Sequence, residues 1–321
     1  MAQIGQLTQP TARLDALARA RQRAALLPDC LAEARRVANT VIAGWHGRRK
    51  RGIGETFWQF RPYVEGESLA RIDWRRSARD DNLYVRDREW EAAHTIWLWA
   101  DRSPSMLYKS ETAIVGKESR ALVLMLALAE ILSRSGERIG CPGVMEPLAS
   151  RNAAERLALA LAHAPRQTGL PDLGQVSRMS DVVLISDFLD DAEALDIAIG
   201  PAARRGIRGH AIEISDPAEE NFPYAGRTEF RDPETGEKLV AGRAETVAAD
   251  YRRAWLARRD ALGRGVRRLG WSYLPHSTDR LASEALAAMH ARLSGVPAAG
   301  NLSRVAADKN ALSPASKVQS A

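Results

Sequence analysis

The sequence predicts an α/β fold in which helices cover both faces of a mostly parallel sheet, with an N-terminal helical and β-rich extension. From Thr95 onward, strand-like runs alternate with helical ones: IWLWAD, DVVLISD and IRGHAIEIS are separated by segments of helical pattern. Strand, helix and strand in succession is the pattern of a parallel sheet. The first two contain the continuous apolar runs IWLWA and VVLI, which are typical of strands that are buried on both faces.

The first 94 residues differ from the rest of the chain in composition and in the pattern of their apolar residues. Residues 11–45 place apolar side chains among arginines and acids and are interrupted by Pro28. They predict two amphipathic helices within an N-terminal helical segment, residues 1–45. Residues 46–94 contain HGRRKRG, FWQFRPYV and YVRDREWE, in which aromatic and charged residues mix as they do in short strands and turns. We therefore predict a β-rich extension over residues 46–94.

The α/β domain is predicted over residues 95–293. Beyond the three clear strands it contains a hairpin near residues 228–241, where PETGE closes FRDPETGEKLV. The remaining elements are predicted from apolar periodicity. They are helices near residues 117–135, 152–163, 192–205, 246–262 and 280–293, and strands near residues 137–144 and 270–274. The small, polar segment 294–321 is predicted to be a disordered tail.

Composition limits the function classes without choosing one. The chain has 321 residues, a net charge of +6 and a pI near 9.6, which permits acidic partners of several kinds. Cys30 and Cys141 are the two cysteines, and they show no metal-ligand spacing, so a reducing compartment is expected. The longest apolar run, residues 121–132, is shorter than the roughly 20 residues that cross a bilayer. We therefore expect a cytoplasmic protein without membrane insertion.

Polar side chains follow two of the apolar strands at the point where each strand ends. Asp101 ends IWLWA and is followed by Ser103 and Ser105, and Asp187 ends DVVLIS. Ligands of open parallel sheets bind beyond the carboxyl ends of the strands, and Mg²⁺ prefers oxygen ligands. These four residues therefore predict a site for Mg²⁺ or Mn²⁺. Thr168 in PRQTGLP is the candidate for a further hydroxyl ligand, with a helix cap or loop hydroxyl as the alternative.

Several motifs together resemble a known family. DRSPSM resembles the D-x-S-x-S metal-ion-dependent adhesion site of von Willebrand factor type A domains. SDFLDD is similar to the segment in which those domains carry the last aspartate of the site, and Asp187 stands at that position. RPYVEGESLARIDWRRSARDDNLYVRDREWE and DPETGE resemble the bacterial domain-of-unknown-function family 58, over roughly residues 45–290. The chain departs from that family at Glu65-Gly66-Glu67, where proline, glycine and aspartate are usual. Arg166 and Gln167 also stand where glycines usually precede the threonine.

The resemblance implies a von Willebrand factor type A-like fold and a non-catalytic, cation-dependent protein-interaction module. It also implies a MoxR-type AAA+ ATPase as partner, with the chain acting as an adaptor in the assembly or activation of another complex. One alternative is a metal-dependent phosphohydrolase. That class needs an acid two residues after its nucleophilic aspartate, where Ser103 stands here, and a serine cannot serve as that acid at neutral pH.

The second alternative is a nucleic-acid-binding protein that uses its basic runs. RRKRG and RIDWRRSARD are rich in arginine, but the acids interleaved with the second run weaken its positive field. Internal pairing of these arginines with Asp73 and its neighbours is the interpretation that we favour. The sequence contains no recognised nucleic-acid-binding motif.

Overall fold

The computed structural model describes residues 9–46, 59–79, 82–87, 94–165, 169–189 and 192–294. It divides into two compact units. One is formed by the described parts of residues 1–41 and 95–321, and the other by those of residues 42–94. The larger unit contains the central sheet and the candidate site.

A six-stranded sheet forms the centre of the larger unit. Five of its strands run parallel, and one edge strand is antiparallel. The strands of this sheet are β3 (Thr95–Ala100), β4 (Arg138–Cys141), β5 (Met145–Ala149), β6 (Asp181–Ser186), β7 (Arg208–Ser215) and β10 (Ser272–Ser277). Their spatial order is β10-β7-β6-β3-β4-β5. The predicted mixed α/β fold with a mostly parallel sheet is confirmed.

Helices pack on both faces of this sheet. The helices of the unit are α1 (Gln9–His46) as far as Val41, α3 (Lys117–Arg134), α4 (Ala153–His163), α5 (Ala192–Arg204), α6 (Pro217–Asn221), α7 (Ala248–Arg268) and α8 (Ala282–Leu293). A hairpin of β8 (Thr228–Arg231) and β9 (Lys238–Ala241) precedes α7. One core joins the sheet to α5 and α7, with Trp97 and Trp99 facing Leu195, Leu262 and other apolar side chains. The opposite face is covered by α3, α4 and α8.

Helix α1 corrects the prediction of two helices separated at Pro28. The chain forms one continuous helix with Pro28 inside it. A proline removes one hydrogen bond of the helix interior, yet tertiary packing can outweigh that loss. Leu27, Cys30 and Ala34 are buried at helical spacing, and Arg35 pairs with Glu130 and Glu155 of α3 and α4. These contacts stabilise the helix from the residue before the proline onward.

Two further boundaries differ from the predicted ones. Helix α7 was predicted to end near Leu262 but continues to Arg268, because Leu262, Gly263 and Val266 are buried against the sheet and extend its apolar stripe. The segment predicted as one strand over residues 137–144 is β4 followed by a turn, and β5 then pairs with it as the antiparallel edge strand. Helix α6 was not predicted because it has only five residues.

The smaller unit is built on a pair of antiparallel strands, β1 (Gln59–Pro62) and β2 (Tyr84–Asp87). The short helix α2 (Trp74–Ser77) lies between them in sequence, and the Asp73 carboxylate accepts a hydrogen bond from Arg76 N at 3.0 Å. Arg61 forms an ion pair with Glu67 at 2.6 Å, and the Arg76 guanidinium lies over the Tyr84 ring. Arginines of this unit therefore make internal contacts. Across the described residues of both units, no helix is long and apolar enough to span a membrane.

Candidate functional site

The candidate site lies where the strand order of the sheet reverses. From β3 the chain crosses through α3 to β4 on one side, and it later returns to β6 on the other side of β3. Ligands of open α/β sheets bind at such switch points, beyond the carboxyl ends of the strands. Asp101 directly follows β3 and Asp187 directly follows β6. The backbone N of Asp101 donates to Ile185 O at 2.8 Å, so the ladder holds both strand ends in register.

Asp101 is buried, and each of its carboxylate oxygens accepts a hydrogen bond. Its Oδ1 accepts from Ser103 N at 2.8 Å, and its Oδ2 accepts from Ser186 Oγ at 2.7 Å. Burial raises the pKa of Asp101 above its usual value, the hydrogen bonds oppose that shift, and the nearby Asp187 carboxylate adds to it. The surroundings of Asp101 therefore disfavour its ionised form. A cation bound beside Asp101 would instead stabilise the ionised form and lower the pKa.

The two serines of the DRSPSM loop lie side by side at the same edge. Ser103 Oγ and Ser105 Oγ are 3.0 Å apart and share a hydrogen bond. A turn of 3₁₀ helix at residues 104–107 positions the second hydroxyl, and Ser105 is buried. The structure thus brings Asp101, Ser103 and Ser105 together beside the strand end that carries Asp187.

A buried lysine contacts Asp187 directly. Lys117, the first residue of α3, places its Nζ 2.8 Å from Asp187 Oδ2 and 2.7 Å from Glu219 Oε1. Burial alone would lower the pKa of the Lys117 ammonium, but the two carboxylates outweigh it and raise the pKa. Asp187 Oδ1 has a longer contact, with Leu189 N at 3.3 Å. Sequence reasoning missed this lysine. Its place at the first position of a helix that is apolar from Ala121 to Ala129 was the available signal.

The loop after β6 is held from outside by α7. The Arg258 guanidinium donates to the backbone oxygens of Asp187 and Phe188. Phe188 has a φ of 48°, a left-handed conformation that is uncommon for a bulky residue, and its backbone N donates to Ser186 Oγ at 3.0 Å. These contacts fix the turn that orients Asp187. Such strained residues occur often at functional sites.

Negative charge is in excess at this edge of the sheet. The Lys117 ammonium contacts the carboxylates of Asp187 and Glu219, and a third carboxylate, that of Asp101, lies near Asp187. An adjoining charged cluster consists of Arg258, Arg259, Glu213 and Glu220. Its net charge is zero, because two arginines pair with two glutamates. The carboxylates at this edge therefore outnumber the Lys117 ammonium, and one divalent cation would offset part of that excess.

Thr168, the fifth predicted ligand, lies outside the described residues, so its role stays a prediction. Within the described residues, no group of three or more His, Cys, Asp or Glu side chains could hold a metal ion. The predicted site depends instead on two carboxylates combined with hydroxyls. Glu234 was also missed by sequence reasoning: its Oε1 accepts a hydrogen bond from Ser105 N at 2.9 Å.

Comparison with known proteins gives relatives at two levels of similarity. Uncharacterized protein Rv1480 of Mycobacterium tuberculosis and uncharacterized protein Mb1516 of Mycobacterium bovis are each 27% identical to this chain over 261 residues, which is 75% of this chain and 80% of theirs. The conserved hypothetical protein BatB from Bacteroides thetaiotaomicron matches 63% of this chain over its full length at 14% identity, with a TM-score of 0.39. An aerotolerance-related membrane protein from Bacteroides fragilis matches 64% of this chain over its full length at 14% identity, with a TM-score of 0.41.

A family model also matches the chain. The model described as "Protein of unknown function DUF58" matches residues 59–261. The match spans part of the smaller unit and most of the sheet, including both strand-terminal aspartates and the β8–β9 hairpin. It covers more than half of the chain, and we conclude that this chain belongs to the DUF58 family.

Proposed function

We propose that this protein is a non-catalytic protein-interaction module with a von Willebrand factor type A-like fold, and that it binds its partner through one divalent cation, Mg²⁺ or Mn²⁺. Asp101, Ser103, Ser105 and Asp187 would hold the cation. The observation that carries the proposal is the pair of buried aspartates at the ends of adjacent strands, with more carboxylates than cationic groups around them.

The donor set suits a hard cation. Mg²⁺ usually binds one or two carboxylates and keeps several waters. It therefore needs fewer protein ligands than Ca²⁺, which takes six to eight oxygen ligands. The Lys117 ammonium contacts Asp187 Oδ2, and the other oxygen, Asp187 Oδ1, makes a longer contact with Leu189 N. The hydroxyls of Ser103 and Ser105 hydrogen-bond to each other and can rotate to present lone pairs. A cation and Lys117 can therefore share Asp187.

A cation held by two carboxylates and hydroxyls can accept a further carboxylate from outside. An Asp or Glu of a partner protein would complete the coordination, and the partner would then be released when the metal is chelated. The family resemblance suggests a MoxR-type AAA+ ATPase as this partner, with the chain as an adaptor for another complex. The net charge of +6 favours encounter with an acidic surface.

Calorimetry with Mg²⁺ or Mn²⁺ tests the cation site. We expect wild type to bind one cation per chain, and Asp101→Ala to weaken binding at least about a hundredfold, because one of two anionic ligands is lost. Asp196→Ala is the matched control, since Asp196 is an exposed carboxylate on α5, and its affinity should equal that of wild type. Equal cation binding by Asp101→Ala and wild type would refute the assignment.

Partner capture tests the function itself. A purified MoxR-type ATPase from the same organism should be retained by the immobilised protein in Mg²⁺ and released by EDTA. A rise in salt should weaken this contact less than EDTA does, because a short, partly desolvated metal bridge is screened poorly. A random oligonucleotide should be lost by moderate salt, as counterion release predicts. Retention of the ATPase in EDTA, or of the oligonucleotide at physiological salt, would contradict the proposal.

A further inference from the structure

The tip of the β8–β9 hairpin reaches the serine loop of the candidate site. Glu234 lies in this tip, and its Oε1 accepts a hydrogen bond from the backbone N of Ser105 at 2.9 Å. The two residues are 129 positions apart in sequence, so this is a tertiary contact. A carboxylate from the protein's own surface therefore lies beside the hydroxyls that would hold the cation.

The hairpin tip is shaped to present Glu234. Asp232 Oδ1 accepts from Glu234 N at 2.8 Å, and Asp232 Oδ2 accepts from Thr235 Oγ1 at 2.8 Å. These hydrogen bonds lower the pKa of Asp232, so the carboxylate that organises the turn stays ionised. Gly236 has a φ of 77°, which side chains rarely allow, and its N donates to Asp232 O. The turn is preformed, and little ordering remains when it contacts the serine loop.

Few contacts hold the hairpin in place elsewhere. Phe230 packs against Phe222 and Tyr224, with ring centroids 5.6 and 5.1 Å apart. On β9, by contrast, Leu239 is 69% exposed and Val240 is 49% exposed. Segments with few buried apolar contacts open at low free energy. The hairpin can therefore leave the serine loop while the sheet stays folded.

We propose that Glu234 is an internal stand-in for the partner's carboxylate, and that the β8–β9 hairpin covers the cation until a partner displaces it. This inference rests on the proposed cation site and adds its regulation. The partner's acidic side chain and Glu234 share the same chemistry and compete for one place at the serine loop. Partner binding then requires an open hairpin, so the apparent affinity for every acidic ligand is reduced in proportion to the fraction of chains whose hairpin is open.

Charge couples the hairpin to the cation. In the absence of metal, Glu234 brings a further negative charge to an edge where carboxylates already outnumber the Lys117 ammonium. A bound divalent cation reverses the sign of that interaction and attracts the Glu234 carboxylate. Coupling between two binding events is reciprocal, so the cation should close the hairpin and the closed hairpin should tighten the cation.

Hydrogen exchange and peptide titration test the inference on the full chain. The variants are Glu234→Gln and, as matched control, Glu237→Gln, which removes the same charge from the same exposed hairpin tip. In wild type and in the control, Mg²⁺ should slow exchange of residues 228–241 by about tenfold, and in Glu234→Gln it should leave their exchange unchanged. With Mg²⁺ present, a pentaglutamate peptide should bind Glu234→Gln about tenfold more tightly than wild type or the control.

The possible outcomes separate this inference from the cation site. Binding of Mg²⁺ to wild type, together with identical hairpin exchange in all three proteins or identical peptide affinity, would overturn the role of Glu234 and leave the cation site intact. An equal effect of both substitutions would show that only net charge matters, which also overturns it. Failure of wild type to bind Mg²⁺ in calorimetry would overturn both proposals.

Discussion

Lys117→Met is expected to lower the free energy of unfolding by about 3–5 kcal/mol in buffer without divalent cations, the usual cost of breaking a buried ion pair. Lys117 is fully buried, and its ammonium contacts both Asp187 and Glu219. Methionine fills similar space, so packing is kept while the buried Asp187 carboxylate loses its counter-charge. Urea unfolding at neutral pH measures the difference.

The same variant also tests the cation site from a second direction. Removing an ammonium 2.8 Å from a proposed ligand removes a competing positive charge, so Lys117→Met should bind Mg²⁺ more tightly than wild type. Mg²⁺ should then restore much of the lost stability, because a ligand that binds only the folded state stabilises it. A stability as low with Mg²⁺ as without it would argue against a cation beside Asp187.

Lys238→Met is the matched control for that experiment. Lys238 also forms an ion pair at 2.7 Å, with Glu229 of the neighbouring strand, but both side chains are more than half exposed. Exposed pairs contribute little to stability. We expect this control to unfold like wild type, both without Mg²⁺ and with it. An equal loss in the two lysine variants would mean that burial of the Lys117 pair does not decide its effect.

Gly209→Ala is expected to lower the free energy of unfolding by at least about 3 kcal/mol, a severe case of overpacking. Gly209 lies in the interior strand β7, where an added Cβ would come within 1.9 Å of the Trp271 ring. The indole cannot move away easily, because it is buried and its Nε1 donates to Ile207 O at 3.1 Å. Either the strand or the ring must shift within the core between the sheet and α7.

Gly265→Ala is the opposite case and serves as the control. Gly265 lies inside α7 with no atom within 4 Å of an added Cβ, and its φ is not positive. Alanine should raise the free energy of unfolding by about 0.5–1 kcal/mol through helix propensity. Thermal and urea unfolding of the two variants should therefore change in opposite directions. A Gly209→Ala protein as stable as wild type would refute the close packing of Trp271 on β7.

The strands and most helices could be predicted because their signals are local. IWLWA and VVLI are continuous apolar runs, and IRGHAIEIS is rich in β-branched and small residues, and the structure has β3, β6 and β7 at these positions. The predicted break at Pro28 was wrong because the continuity of the helix depends on contacts that are not local. Its outcome depended on contacts such as that of Arg35 with Glu155, which lie far apart in sequence and have no local signal.

The sequence by itself determined the mixed α/β class and the placement of Asp101 and Asp187 at strand ends. Both follow from local signals, because strand periodicity and the ends of apolar runs depend on residues that are adjacent in sequence. Only the tertiary structure decided what surrounds those aspartates. Lys117 meets Asp187 from 70 positions away, and Glu234 meets Ser105 from 129 positions away. Charge balance at a buried site depends on such long-range contacts, and their partners are chosen by strand order and helix packing rather than by any local pattern.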